Sequence, residues 1–149
     1  MNINFVCYGN ICRSPMAEFV MKKLVADAGL SDKISVESSG CHALDDEIIS
    51  NGTCRELAAH NIPFDKRTAR PFTRDDYKKS DYIIGMDAGN VRDLHRICGG
   101  DPDGKIFLMM DFAGEHRDVA DPYMTDNYAV TYADISRACA GLLNRLAQS

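Results

Sequence analysis

Nowhere in these 149 residues is there an apolar run long enough to cross a bilayer, which takes about 20 consecutive residues. Met1-Asn2-Ile3-Asn4 enters an apolar segment with no basic stretch before it, so no secretory signal is expected and the protein is placed in the cytoplasm. The six cysteines include no Cys-x-x-Cys pair, and the four histidines (His42, His60, His95 and His116) lack the spacing of zinc ligands. No metal and no cofactor are therefore expected, and without an export signal the thiols should stay reduced. A net charge of −5 with no offsetting basic stripe excludes general nucleic-acid binding. There are no repeats, low-complexity tracts or linker-like stretches. Residues 1–149 thus read as a single domain, large enough to bury a core without staples.

What is present is an alternation of two periodicities. Ile3-Asn4-Phe5-Val6 reads as a first strand, followed by Ala17, Val20, Met21, Leu24, Val25 and Ala28 at helical spacing up to Gly29. Residues 34–40 alternate and form a second strand; a helix across Gly52–His60 turns Cys54, Leu57 and Ala58 inward. Residues 64–76 are polar and irregular, with a short helix near Asp75–Tyr77. Strands at 81–86 and 105–109 flank a helix from about Ala88 to Ile97. A long loop from Asp111 to Asp126 precedes a last helix whose apolar face is Tyr132, Ile135, Ala138, Cys139, Leu142, Leu143 and Leu146. Strands alternating with helices imply an α/β fold, a three-layer α/β/α arrangement around a central four-stranded parallel sheet with right-handed crossovers. Ligands bind such sheets outside the carboxyl ends of the strands.

The loop at the carboxyl end of the first strand is the chemically distinctive stretch: Val6-Cys7-Tyr8-Gly9-Asn10-Ile11-Cys12-Arg13-Ser14-Pro15. Ser14 suits a helix N-cap and Pro15 a first helical position. A strand-to-helix loop collects backbone N–H groups at the positive end of a helix, a cradle for a tetrahedral oxyanion. Cys7 would lie at its floor, in surroundings that favour the thiolate at neutral pH, with the Ser14 hydroxyl within reach. Arg13 would clamp two oxygens with its planar fork. The spacing alone is not distinctive, because Cys139 and Arg145 repeat it, but that second pair lies in a helical pattern whose amides are already bonded. The loop lacks the Gly-Lys-Ser/Thr ending of a nucleotide-binding P-loop. Phosphate monoester cleavage also needs a proton for the leaving alcohol. Asp111, Glu115, His116, Asp118, Asp121 and Asp126 all lie in the late loop. Pro122 stiffens the backbone of Asp121, yet spacing leaves Asp118 an equal candidate.

The run from Val6 to Glu18, together with Asp121-Pro122-Tyr123, resembles the low-molecular-weight protein tyrosine phosphatases, and the likeness covers almost the whole chain. The resemblance implies a metal-independent hydrolase acting on phosphotyrosine proteins or peptides and small aryl phosphates. In it Cys7 is the nucleophile forming a cysteinyl-phosphate, Arg13 the phosphate clamp and Asp121 the general acid and then base. Tyr8, Gly9, Asn10, Ile11, Cys12 and Ser14 form the phosphate-binding loop. Ser38 supports that loop through Asn10, and Leu44 and Tyr123 stand on the substrate rim with Ile11. The resemblance also implies a reversible Cys7–Cys12 disulfide, although Cys12 suits equally well a small packing residue under the loop. Leu44 departs from the aromatic usual at its position, and Met124 stands where some members carry a second tyrosine. The expected assembly is a monomer or weak homodimer, with no membrane partner. Protein arginine phosphatases share the pattern but carry threonine where Ile11 stands. Arsenate reductases of the same fold need further cysteines near the end of the third strand, where this chain has none before Cys98. A non-catalytic phosphate-binding module would have no use for Cys7, Arg13 and Asp121 together.

Overall fold

A computed structural model describes residues 1–148. Its elements follow the expected alternation: β1 (Asn2–Cys7), α1 (Arg13–Asp27), β2 (Ser35–Gly40), α2 (Asn51–Ala59), α3 (Arg74–Lys79), β3 (Tyr82–Gly85), α4 (Ala88–Cys98), β4 (Ile106–Leu108), a 3-10 turn (Met109–Ala113), α5 (Pro122–Thr125) and α6 (Tyr128–Ala147). The sheet has four parallel strands in the order β2-β1-β3-β4. Its faces are assigned by the two-residue period of β1. Ile3, Phe5 and Cys7 face the larger core, with Met16, Met21, Met109, Ile135 and Leu142. Val6 faces the smaller one, with Phe72, Tyr77, Ile83 and Leu94. The first core lies under α1 and α6 and the second under α3 and α4, giving the three layers. No described helix is long and apolar enough to cross a membrane.

Four local details differ from the sequence expectation. Helix α1 begins at Arg13 with Cys12 at its N-cap, so Ser14 is not the cap. The Cys12 carbonyl already accepts Met16 N–H at 3.3 Å, and the Ser14 hydroxyl is engaged elsewhere. Pro15 is the third residue of the helix, still in the first turn, where its missing N–H has no helical acceptor to lose. In α2, Ala58 points to solvent, while Gly52 and Thr53 are buried beside Cys54 and Leu57. That helix is capped by Ser50, which accepts Thr53 N–H at 3.2 Å. The stretch from Asp111 to Asp126 contains the 3-10 turn and α5 rather than continuous loop. On α6 the predicted apolar face is joined by buried Thr131 and Asp134, which face the loop preceding α5.

Candidate active site

Residues 8–12 leave the central strand β1, and four carbonyls between Cys7 and Cys12 are bound from outside. Cys41 N–H donates to the Cys7 carbonyl (2.9 Å), His42 N–H to Tyr8 (2.8 Å), Ser50 N–H to Ile11 (2.8 Å) and Thr53 Oγ1 to Cys12 (3.0 Å). In a planar trans peptide N–H and C=O point in opposite directions. Fixing these four carbonyls outward therefore turns the amides of Tyr8, Gly9, Cys12 and Arg13 the other way, as an oxyanion cradle requires.

Cys7 sits at the floor, 4% exposed. Asn10 N–H donates to its sulfur at 3.3 Å, and Ser14 Oγ lies 3.0 Å from it. The Ser14 hydroxyl has one proton and two acceptors in reach, the sulfur and the Ser39 carbonyl at 3.2 Å, while Asn10 Nδ2 donates into its oxygen at 2.8 Å. That proton can turn to the sulfur whenever the sulfur carries charge. Asn10 and Ser14 themselves lie under the loop, 1% and 0% exposed, rather than on the cleft wall. Cys12 does line the cleft. Burial pushes its thiol up from the ordinary value, against hydrogen bonds to Ser50 and Tyr128.

Arg13 is buried, and its guanidinium is held from behind by Asp87 (2.7 Å) and the Val119 carbonyl (3.1 Å). Asp121 Oδ2 approaches the same guanidinium to 3.6 Å, while its Oδ1 accepts Tyr123 N–H at the start of α5. Asp118 points elsewhere, its Oδ1 accepting Ala88 N–H at 2.9 Å. Of the two, Asp121 lines the cleft with Cys7 and Arg13.

The cleft holds about 990 Å³. Ile11, Leu44 and Tyr123 line it, as does exposed Tyr8. Tyr8 stacks on His42 with centroids 4.5 Å apart, and His42 Nε2 pairs with Asp93 Oδ2 at 2.9 Å. The His42 hydrogen bond, opposed by desolvation, holds the Asp93 carboxyl below the usual carboxylate range.

Beneath the loop the Asn10–Ser38 contact that the resemblance implied is part of a larger support whose other members the sequence did not announce. Asn10, at φ 57°, donates to Ser38 Oγ at 2.9 Å, and its Oδ1 accepts from Arg70 N–H (3.0 Å) and Arg67 (3.3 Å). Ser38 donates to buried Glu18 at 2.6 Å, and Arg67 bonds both Ser38 and Glu18. Arg67 comes from the irregular 64–76 segment, where no pattern marks one arginine over another. Asp87, by contrast, stands just beyond the carboxyl end of β3 beside β1, a position the strand-end rule could have flagged.

Gly40 is the glycine on which the loop depends. A Cβ there would meet Tyr8 O at 2.8 Å and Asn10 N at 2.9 Å, both backbone atoms, whereas at Gly9 the nearest atom would be Ile11 Cγ1 at 3.8 Å. Gly40→Ala is expected to destabilise by about 1–3 kcal/mol and to reduce aryl phosphate turnover by displacing the loop, while Gly9→Ala leaves the melting temperature nearly unchanged. Thermal melts and steady-state kinetics on the two variants check this.

The chain is thus a parallel α/β protein whose central strand β1 runs through a Cys-x5-Arg loop into helix α1. The family model described as low molecular weight phosphotyrosine protein phosphatase matches residues 2–149, and the chain belongs to that family. It is 37% identical over 146 residues to the low molecular weight protein-tyrosine-phosphatase PtpA of Staphylococcus epidermidis, covering 97% of this chain and 92% of that protein. The crystal structure of YfkJ from Bacillus subtilis superposes with a TM-score of 0.92 at 35% identity, covering 99% of this chain and 95% of that one. The low molecular weight protein tyrosine phosphatase of Streptococcus pyogenes gives 0.87 at 37% identity, covering 97% and 92%.

Proposed function

We propose that this protein is a cytoplasmic, metal-independent hydrolase of phosphotyrosine in proteins or peptides, working through a cysteinyl-phosphate. The Cys7 sulfur attacks phosphorus in line: the S–P bond forms as the P–O bond to the phenol breaks, and Asp121 gives its proton to the leaving oxygen. Water then attacks the phosphocysteine, Asp121 takes the water's proton, the S–P bond breaks and the thiolate returns. Arg13 and the loop amides neutralise charge on the equatorial oxygens, where preorganised donors act most strongly. The observation that carries this reading is the 3.6 Å approach of the Asp121 carboxylate to Arg13 at the mouth of the cleft that Cys7 floors. Two carbons of branching at Ile11 and the ring of Tyr123 make the entrance a slot suited to a flat aryl group.

The test is a comparison of phosphotyrosine and phosphoarginine peptides in the presence of EDTA. The aryl ester is expected to be favoured in kcat/KM by about 100-fold, the order an apolar pocket supplies, and Ile11→Thr to narrow the gap. Preferred turnover of phosphoarginine, or loss of activity with EDTA, overturns the assignment.

A further inference from the structure

Asp134 is a carboxylate in the middle of helix α6 with its side chain only 6% exposed. Burying a carboxylate is costly unless its oxygens are satisfied, and apart from Arg137 on its own helix the partners that satisfy this one come from a single stretch, residues 117–120. Arg117 meets it as a fork: NH2 donates to Oδ1 at 2.8 Å and NH1 to Oδ2 at 3.0 Å. Ala120 N–H donates to Oδ2 at 3.0 Å. Arg137 reaches Oδ1 at 3.4 Å and is itself tied to Glu115 at 2.8 Å. Burial opposes ionisation of Asp134, but the Arg117 hydrogen bonds and the Ala120 amide outweigh it and hold the carboxyl below the usual range.

One helical turn earlier, Thr131 Oγ1 donates to the Ala120 carbonyl at 2.8 Å. Ala120 is therefore gripped at both backbone groups by side chains of α6. Its neighbour Val119 is fixed by its N–H to the Met86 carbonyl (2.9 Å) and by its carbonyl to Arg13. The Arg117 guanidinium also donates to the Asp118 carbonyl at 3.0 Å and to Glu115 at 3.1 Å, bracing the turn from within. The next residue is Asp121, which has no such grip on its own carboxylate beyond Tyr123 N–H and the 3.6 Å approach to Arg13. The Asp121 carbonyl accepts Met124 and Thr125 N–H at 3.0 Å each on its C-terminal side, and Ala120 anchors it on the other.

We propose that Asp134 and Arg117 are positioning residues for proton transfer: their ion pair locks residues 117–120 against α6 so that Asp121 meets the leaving oxygen of a substrate seated on Cys7. This rests on Asp121 being the proton donor. A misplaced acid harms esters of poorly acidic phenols and spares esters of phenols acidic enough to leave without a proton.

The experiment compares kcat/KM for phenyl phosphate and 2,4-dinitrophenyl phosphate in the wild type, Arg117→Ala, Asp134→Asn and, as reference, Asp121→Asn. Both positioning variants are expected to lose at least about tenfold on phenyl phosphate and less than about threefold on the dinitrophenyl ester. Asp121→Asn should show the same asymmetry, with a loss of about 10²–10⁴ on phenyl phosphate. Partial unfolding lowers both substrates by one factor, so the ratio is unaffected by a poorly folded variant, and Arg117, partly exposed, tests the same pair from its surface side. If Asp121→Asn separates the substrates and the other two variants do not, the positioning role is overturned and the proton donor stands. If Asp121→Asn lowers both equally, the proton-donor reading fails and the positioning role fails with it.

Discussion

Cys7→Ser is expected to abolish turnover of aryl phosphates, by roughly 10⁴–10⁶, the scale on which enzymes lose activity with their nucleophile. Serine is close to cysteine in size, so the floor of the loop stays filled, and the Asn10 amide and Ser14 hydroxyl still have an oxygen to bond. What disappears is the thiol nucleophile, since an alcohol ionises far less readily than a thiol and attacks phosphorus more weakly. Binding of inorganic phosphate should survive, because Arg13 and the loop backbone are unchanged by the substitution. The measurement pairs kcat on phenyl phosphate with phosphate binding by calorimetry. Turnover above about one percent of wild type would remove Cys7 from the chemistry.

Arg13→Lys is expected to reduce kcat by about 10²–10³, the usual cost of losing a preorganised donor to a charged transition state. Arg13 is buried and already spends its NH1 and NH2 on the Val119 carbonyl and Asp87. Only a planar group with several fixed donors can keep those anchors and still present N–H bonds to two phosphate oxygens. A lysine carries its charge on one atom, and it must either pair with Asp87 or meet the substrate. The same substitution frees the Val119 carbonyl, so the late loop should loosen as well. Activity within about tenfold of wild type would show that bidentate geometry is not what the reaction uses.

Much of the fold was legible because its signals are local. The short apolar run Ile3-Asn4-Phe5-Val6 and the helical period from Ala17 to Ala28 each fix an element without reference to its neighbours. The helix start was misjudged by two residues for an equally concrete reason. Ser14 has the chemistry of a cap, but its hydroxyl is claimed by the sulfur, the Ser39 carbonyl and Asn10, none of which a helix rule considers. Ala58 was assigned inward by periodicity, whereas α2 turns Gly52 and Thr53 to the interior, against Tyr128 and the Cys12 carbonyl.

By itself the sequence determined the element alternation, the parallel sheet and the loop from Cys7 to Arg13, because strand, loop and helix cap are contiguous and their chemistry is readable in order. Spacing did not separate Asp118 from Asp121, and only the tertiary structure shows that Asp121 lines the cleft while Asp118 bonds Ala88 N–H. They lie three residues apart, and the different surroundings of the two carboxylates come from contacts with distant elements, Ala88 on α4 for Asp118 and Arg13 on α1 for Asp121. The same holds for Asp87 behind the arginine, for Glu18 and Arg67 under Asn10, and for Gly40 beside Tyr8. Each of these contacts joins residues more than thirty positions apart, or depends on one that does, and separations of that size are set by how the elements pack.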